Sequence, residues 1–163
     1  MLLNEIFNTD IDIDFKPVNS MNFSSPGAPA YMGKFKIGNV GYMIHAIKME
    51  PNRRDMIHRA VPDQPIDDNT WFLGFTTDSG ADWDTNTGNA ITVLGIVVNA
   101  YEKLLTKIQP SIVYFGCDDS SPKRKRIYAK LASKIMSQLG GTIVAQVSAP
   151  FFGQNKFMWI IKA

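Results

Sequence analysis

The chain has 163 residues, 45% of them hydrophobic and 20% charged, with a formal net charge of +2. That is enough apolar material for the core of one domain, and too little charge for polyanion binding through the whole-molecule field. The single cysteine, Cys117, excludes an internal disulfide and a zinc site built from several thiolates. No stretch approaches the ~18 apolar residues of a membrane span, and Met1 to Phe7 lacks the basic start and cleavage site of a secretory signal. The expected location is the compartment of synthesis, with no membrane partner.

In chain order, residues 2–8 read as a short amphipathic helix with Leu2, Leu3, Ile6 and Phe7 on one side, and Ile11 to Phe15 alternate as a strand does. Small, polar and proline residues dominate 19–30, a loop that sets an N-terminal extension (1–30) apart from the core (31–163) of a single domain. Lys34 to Ile37 and Tyr42 to Lys48 predict two antiparallel strands around a glycine-flanked turn. From Glu50 to Asn69 the chain is polar and holds Pro51, Pro62 and Pro65, which predicts a long connection. Such connections inside a domain are commonly functional, so Arg53, Arg54 and His58 become interface candidates.

Thr70 to Thr76 is a predicted strand, followed by an acidic loop with Asp78, Asp82 and Asp84. Apolar residues then recur at three- and four-residue steps from Ala90 to Ile108, until Pro110 stops the run, predicting a long buried helix. Ser111 to Cys117 is the continuous apolar run of a central strand covered on both faces. Ser121 offers an N-cap and Pro122 a first helical residue for a second long helix, which Gly140 and Gly141 end. Thr142 to Val147 and Phe157 to Ile161 close the chain as an antiparallel pair, joined by a loop with Pro150 and Gly153. The expected class is α+β: a mixed, mainly antiparallel sheet flanked by two long helices, with an N-terminal helix and hairpin.

Several residues carry candidate chemistry. Lys123, Arg124, Lys125 and Arg126, with Lys130 beyond them, crowd cations into the first turns of a helix, where the macrodipole disfavours positive charge. A bound anion or acidic partner is one reading; a solvated face offset by Asp118 and Asp119 is the other. Cys117 ends a central strand, the edge where α/β sheets collect ligands, but a thiolate needs a base and the sequence places neither His45 nor His58 beside it. Cys117 and His45 are therefore read as structural. The aspartates match no calcium loop, so no metal is expected. Trp83, Phe151 and Phe152 fall in expected loops, where large aromatics cap a core or meet a partner, and are interface candidates.

From about residue 33 onward the order is hairpin, strand, helix, strand, helix, strand, strand, which resembles the Gcn5-related N-acetyltransferase (GNAT) fold. The resemblance implies a pyrophosphate-holding turn at the start of the first long helix, where Gly88, Asn89 and Ala90 stand. It also implies a tyrosine in the second long helix that protonates the departing thiolate, here Tyr128. Thr85 stands where the family has Gln or Arg, with Asp82 and Asp84 just before it, and Tyr128 lies in the second helical turn rather than near the helix end. Through Asn4 to Phe7, Thr87 to Ala90, Pro110 to Tyr114 and Ser121 to Leu131 the chain also resembles a group of small tailed-phage proteins, which implies a phage origin. The leading expectation is a phage-encoded, non-catalytic binding protein without a cofactor, meeting a virion or host protein in the virion or host cytoplasm. The alternatives are an acetyl-CoA-dependent N-acyltransferase and a nucleic-acid-binding protein using the face from Lys123 to Lys130. An open cleft between strands 70–76 and 112–117 favours the acyltransferase, and a filled one opposes it.

Overall fold

The computed structural model describes residues 12–18, 29–77, 90–151 and 154–163. The expected helix at 2–8, the acidic loop with Trp83, the residues Gly88 and Asn89, and Phe152 lie outside them. Within the described residues seven strands make one sheet. Its order is β1 (Lys16–Val18), β2 (Ala30–Ile37), β3 (Val40–Lys48), β4 (Thr70–Thr77), β5 (Ile112–Asp118), β7 (Gln154–Lys162) and β6 (Thr142–Phe151). Only β4 and β5 run parallel; the other neighbours are antiparallel. A parallel pair cannot be closed by a tight turn. Helix α2 (Ala90–Ile108) lies between the two strands in the chain, and α3 (Pro122–Leu139) follows β5. The mixed α+β class expected from the element order is the one found.

Alternation along the central strands divides their side chains between two faces. One face, with Leu73, Phe75, Val113, Phe115 and Trp159, packs against α2 and α3 in the larger core. The other, with Ile112, Tyr114, Met158 and Ile160, packs against Ile57 and Val61 in a smaller one. Burying a side chain the size of Leu73 or Phe115, both 0% exposed, contributes roughly 1.5–3 kcal/mol. Helix α3 starts and stops as its sequence predicts: Ser121 Oγ accepts the Arg124 N–H at 3.3 Å, and Gly140 ends it with φ 62°.

Three expectations are corrected. The connection from Glu50 to Asn69 contains α1 (Pro51–Ala60), so Arg53, Arg54 and His58 lie on a helix rather than a loop. Pro51 sits at the start, where a missing N–H costs nothing, and Pro62 and Pro65 follow the helix end; the prolines bound the helix instead of preventing it. The strand expected at Ile11 to Phe15 begins at Lys16. The alternation there still reports burial, since Ile13 and Phe15 join the larger core, but residues 12–15 pair with no strand. Finally, β6 and β7 form one long hairpin in which Phe151 pairs with Gln154, so Phe151 is a strand residue and not part of a loop.

Candidate active site

The parallel pair is zipped over only part of its length. Register runs from Thr70 opposite Ile112 to Leu73 opposite Phe115 and ends there. Beyond it, β4 stays with β3 as far as Thr77 opposite Tyr42, while β5 stays with β7 as far as Asp118 opposite Lys156. The strands therefore part, and the backbone groups each would have offered the other face a cleft without a strand partner.

The first residue past the fork on each strand is a glycine, and in each case a side chain from the outer neighbour occupies its space. Gly74 lies opposite His45, and a Cβ at Gly74 would sit 2.7 Å from His45 Nε2. Gly116 lies opposite Met158, and a Cβ there would run into the Met158 thioether and come within 2.6 Å of the Phe157 carbonyl oxygen. His45 and Met158 thus lean over the fork from opposite sides.

The cleft has a volume of about 120 Å³ and passes through the sheet. Its lining on the helical face includes Phe75, Cys117, Arg124 and Tyr128; on the other it includes His45, Phe72, Thr76 and Met158. The Tyr128 ring lies between Phe75 and Phe115, stacked on both at 5.4 Å and 5.2 Å. It therefore bridges the fork, one contact on each strand. Tyr101 is fully buried behind it, and burial, with Tyr128 adding, pushes its phenol well above the ordinary range.

Burial also sets the charge states of the lining. It lowers the His45 pKa to about 4, keeping the ring neutral near pH 7, and pushes the Cys117 thiol up to about 11 against the opposing pull of Arg124, Lys125 and Lys156. The Asp118 carboxylate is held below its usual range, chiefly by the Ser120 N–H at 2.8 Å. The Thr76 hydroxyl oxygen is buried with no hydrogen-bond partner among the described residues, an arrangement that costs about 1–3 kcal/mol until something fills it.

The structure sorts the sequence-predicted candidates. Tyr128 and Arg124 line the cleft. The basic run divides: Lys123, Arg126 and Lys130 are exposed, while Arg124 and Lys125 are half-buried, and Lys125 pairs with Asp119 and lies 5.1 Å from the Phe157 ring centre. Ala90 is the first residue of α2 among the described residues. Arg54 is paired with Asp68, and His58 is exposed on α1, so neither reaches the cleft. Sequence reading missed His45, Gly74, Gly116, Thr76 and Met158, because their convergence follows from cross-strand register. It also separated Cys117 from His45, although both line the same cleft. Among the described residues no cluster of His, Cys, Asp and Glu could hold a metal ion, and no helix is long and apolar enough to cross a membrane.

No protein-family model matches the chain, and no curated protein matches it in sequence. Solved structures do match. A chimera of the Vibrio cholerae spermidine N-acetyltransferase SpeG with hSSAT has 11% identity and a TM-score of 0.47, over 82% of this chain and 66% of that one. The dodecameric spermidine N-acetyltransferase of Vibrio cholerae gives 10%, 0.45, 99% and 90%. Aminoglycoside acetyltransferase AAC(6')-Ib with coenzyme A gives 9%, 0.46, 83% and 66%. The chain thus spans about two thirds of the length of the first of these. The expectation of a non-catalytic binding protein is corrected: the solved structures that match are acetyltransferases, and β4 and β5 part to leave the open cleft expected to favour the acyltransferase alternative.

Proposed function

We propose that the protein is an acetyl-CoA-dependent N-acyltransferase. The observation that carries this reading is the fork after Leu73 and Phe115, which turns two strand edges toward a cleft. Such edges can pair with the amides of an extended pantetheine arm as they would with a strand. Because α2 follows β4 and α3 follows β5, both helices begin at the end of the sheet where the fork opens, and their N-termini add partial positive charge suited to phosphates. Arg124 and Lys156 line the same opening.

The dimensions fit one end of such a molecule. A cleft of about 120 Å³ is small beside the ~300–1,000 Å³ of pockets that bury drug-sized ligands, so it suits the acyl thioester rather than a whole nucleotide. The orphaned Thr76 hydroxyl would meet an amide or carbonyl there.

Acetyl-CoA supplies an acyl group activated as a thioester. Tyr128 holds a hydroxyl proton beside the cleft, in position to protonate a departing sulfur. Cys117 is unsuited to take the acyl group itself: with its pKa near 11, only about one thiol in ten thousand is thiolate at pH 7. Transfer is therefore direct, from thioester to acceptor amine. The likeness of Ser121 to Leu131 to tailed-phage proteins supports placing this activity in a phage-infected host cell.

Calorimetric titration with acetyl-CoA tests the reading. Binding is expected within the ~1 μM to 1 mM span typical of enzyme substrates, with Thr76→Val and Arg124→Ala each weakening it several-fold. No binding up to millimolar acetyl-CoA overturns it.

A further inference from the structure

Resting on the acyl-transfer reading, we infer that His45 is the group that takes the proton from the acceptor amine, and that the amine meets the acyl group from the face of the sheet opposite α2 and α3. The two ends of the cleft differ. On the helical side Tyr128 is held by ring stacking across the fork, the place for a proton donor to the leaving sulfur. On the other side the only ring with a titratable nitrogen is His45, laid over Gly74 at the fork and stacked 6.4 Å from Phe72. Donor and acceptor of protons are thus separated by the thickness of the sheet, with the reacting centre between them.

The step balances without any further reagent. The amine nitrogen forms a bond to the acyl carbon, the carbon–sulfur bond breaks, the nitrogen's proton passes to the unprotonated ring nitrogen of His45, and the sulfur takes the Tyr128 proton. Solvent resets both groups. Burial keeps the empty-site ring neutral and lowers its pKa to about 4, so the ring takes the proton only in concert with transfer, as negative charge developing beside it raises its proton affinity. Among the described residues, the other charged or titratable groups lining the cleft are Cys117 and Asp118 on β5, Arg124 and Tyr128 on α3, and Lys156 on β7.

Gly74 gives the device its geometry. An alanine there would push a methyl group against the imidazole, displacing the ring while leaving its chemistry intact. His45→Gln does the converse, keeping a polar side chain of similar reach without the base.

The test uses the full chain, with ethylamine as acceptor and released CoA thiol as the signal. His45→Gln is expected to lower kcat about a hundredfold, the lower end of general-base effects, with acetyl-CoA affinity by calorimetry within about twofold of wild type. Its deficit narrows as pH rises and free amine replaces the missing base. Gly74→Ala is expected to show the same pattern. A second readout needs no turnover: the chain has two histidines, so adding CoA and ethylamine together should shift the His45 ring resonances in NMR and leave those of exposed His58 in place. Wild-type kcat in His45→Gln, no transfer to ethylamine by a wild type that binds acetyl-CoA, or an unmoved His45 resonance each overturns the inference alone. Failure of wild type to bind acetyl-CoA overturns the acyltransferase reading and this inference together.

Discussion

The two halves of the seam between β4 and β5 belong to the same pair of strands and behave in opposite ways. Over Thr70–Leu73 and Ile112–Phe115 the strands are paired and almost wholly buried, with Leu73, Val113, Tyr114 and Phe115 at 0% exposure. One residue later both strands present glycine, pairing stops, and each strand keeps only its outer neighbour. The zipped half is held by side chains interlocking on both faces. In the open half the space a side chain would need is taken by His45 and Met158, and the ladder groups are left for something else to satisfy. Stability resides in one half of the seam and the proposed chemistry in the other, a few ångströms apart.

Substitutions can break that division or sharpen it. The largest effect is expected from Phe115→Ala, which removes a fully buried ring that touches Tyr101, Tyr128 and Trp159. A loss of about 3–5 kcal/mol should appear in urea unfolding, and a loss under 1 kcal/mol would mean the zipped half is not the anchor.

The next concerns pH. His45 titrates at about 4 when folded, against an ordinary value of 6.5, so between those values the unfolded chain takes up a proton that the folded chain refuses. Stability should be fully present above about pH 6.5 and fall as pH drops toward 4, by up to about 3 kcal/mol. His45→Gln should flatten unfolding curves measured across that window. The depressed carboxylates Asp118 and Asp119 lose their contribution at lower pH, which separates the two effects.

Tyr128→Phe sharpens the comparison, since it keeps the stacking and removes only the hydroxyl. Turnover should fall about a hundredfold, in the range for loss of a general acid, with thermal unfolding little changed; equal turnover would remove Tyr128 from the chemistry. The smallest effect is expected from Ser121→Ala, which deletes the α3 cap at a cost of about 1 kcal/mol in chemical denaturation.

Much of the framework was legible because it rests on local rules. The apolar period from Ala90 to Ile108 matches the span of α2, and Ser121, Pro122 and Gly140 bound α3 as caps do. Where the signal was mixed the reading failed. Pro51, which helps the segment read as a long connection, stands in the first helical turn, where proline is tolerated, and the α1 segment is too polar to show a clear stripe. The site was legible in part: Tyr128 and Arg124 could be singled out by residue type and helix position. His45 looked like an ordinary strand residue because nothing near it in the chain reveals Gly74 as its neighbour across the ladder.

Local propensity and period thus settled the element order and the α+β class, since capping, helical stripes and apolar strand runs act within a dozen residues. The fork, the lining of the cleft and the charge states of His45 and Cys117 came from assembly. Register brings together residues as distant as His45, Gly74, Gly116 and Met158, and burial, which shifts pKa values by desolvation, exists only once the sheet and helices have closed around them.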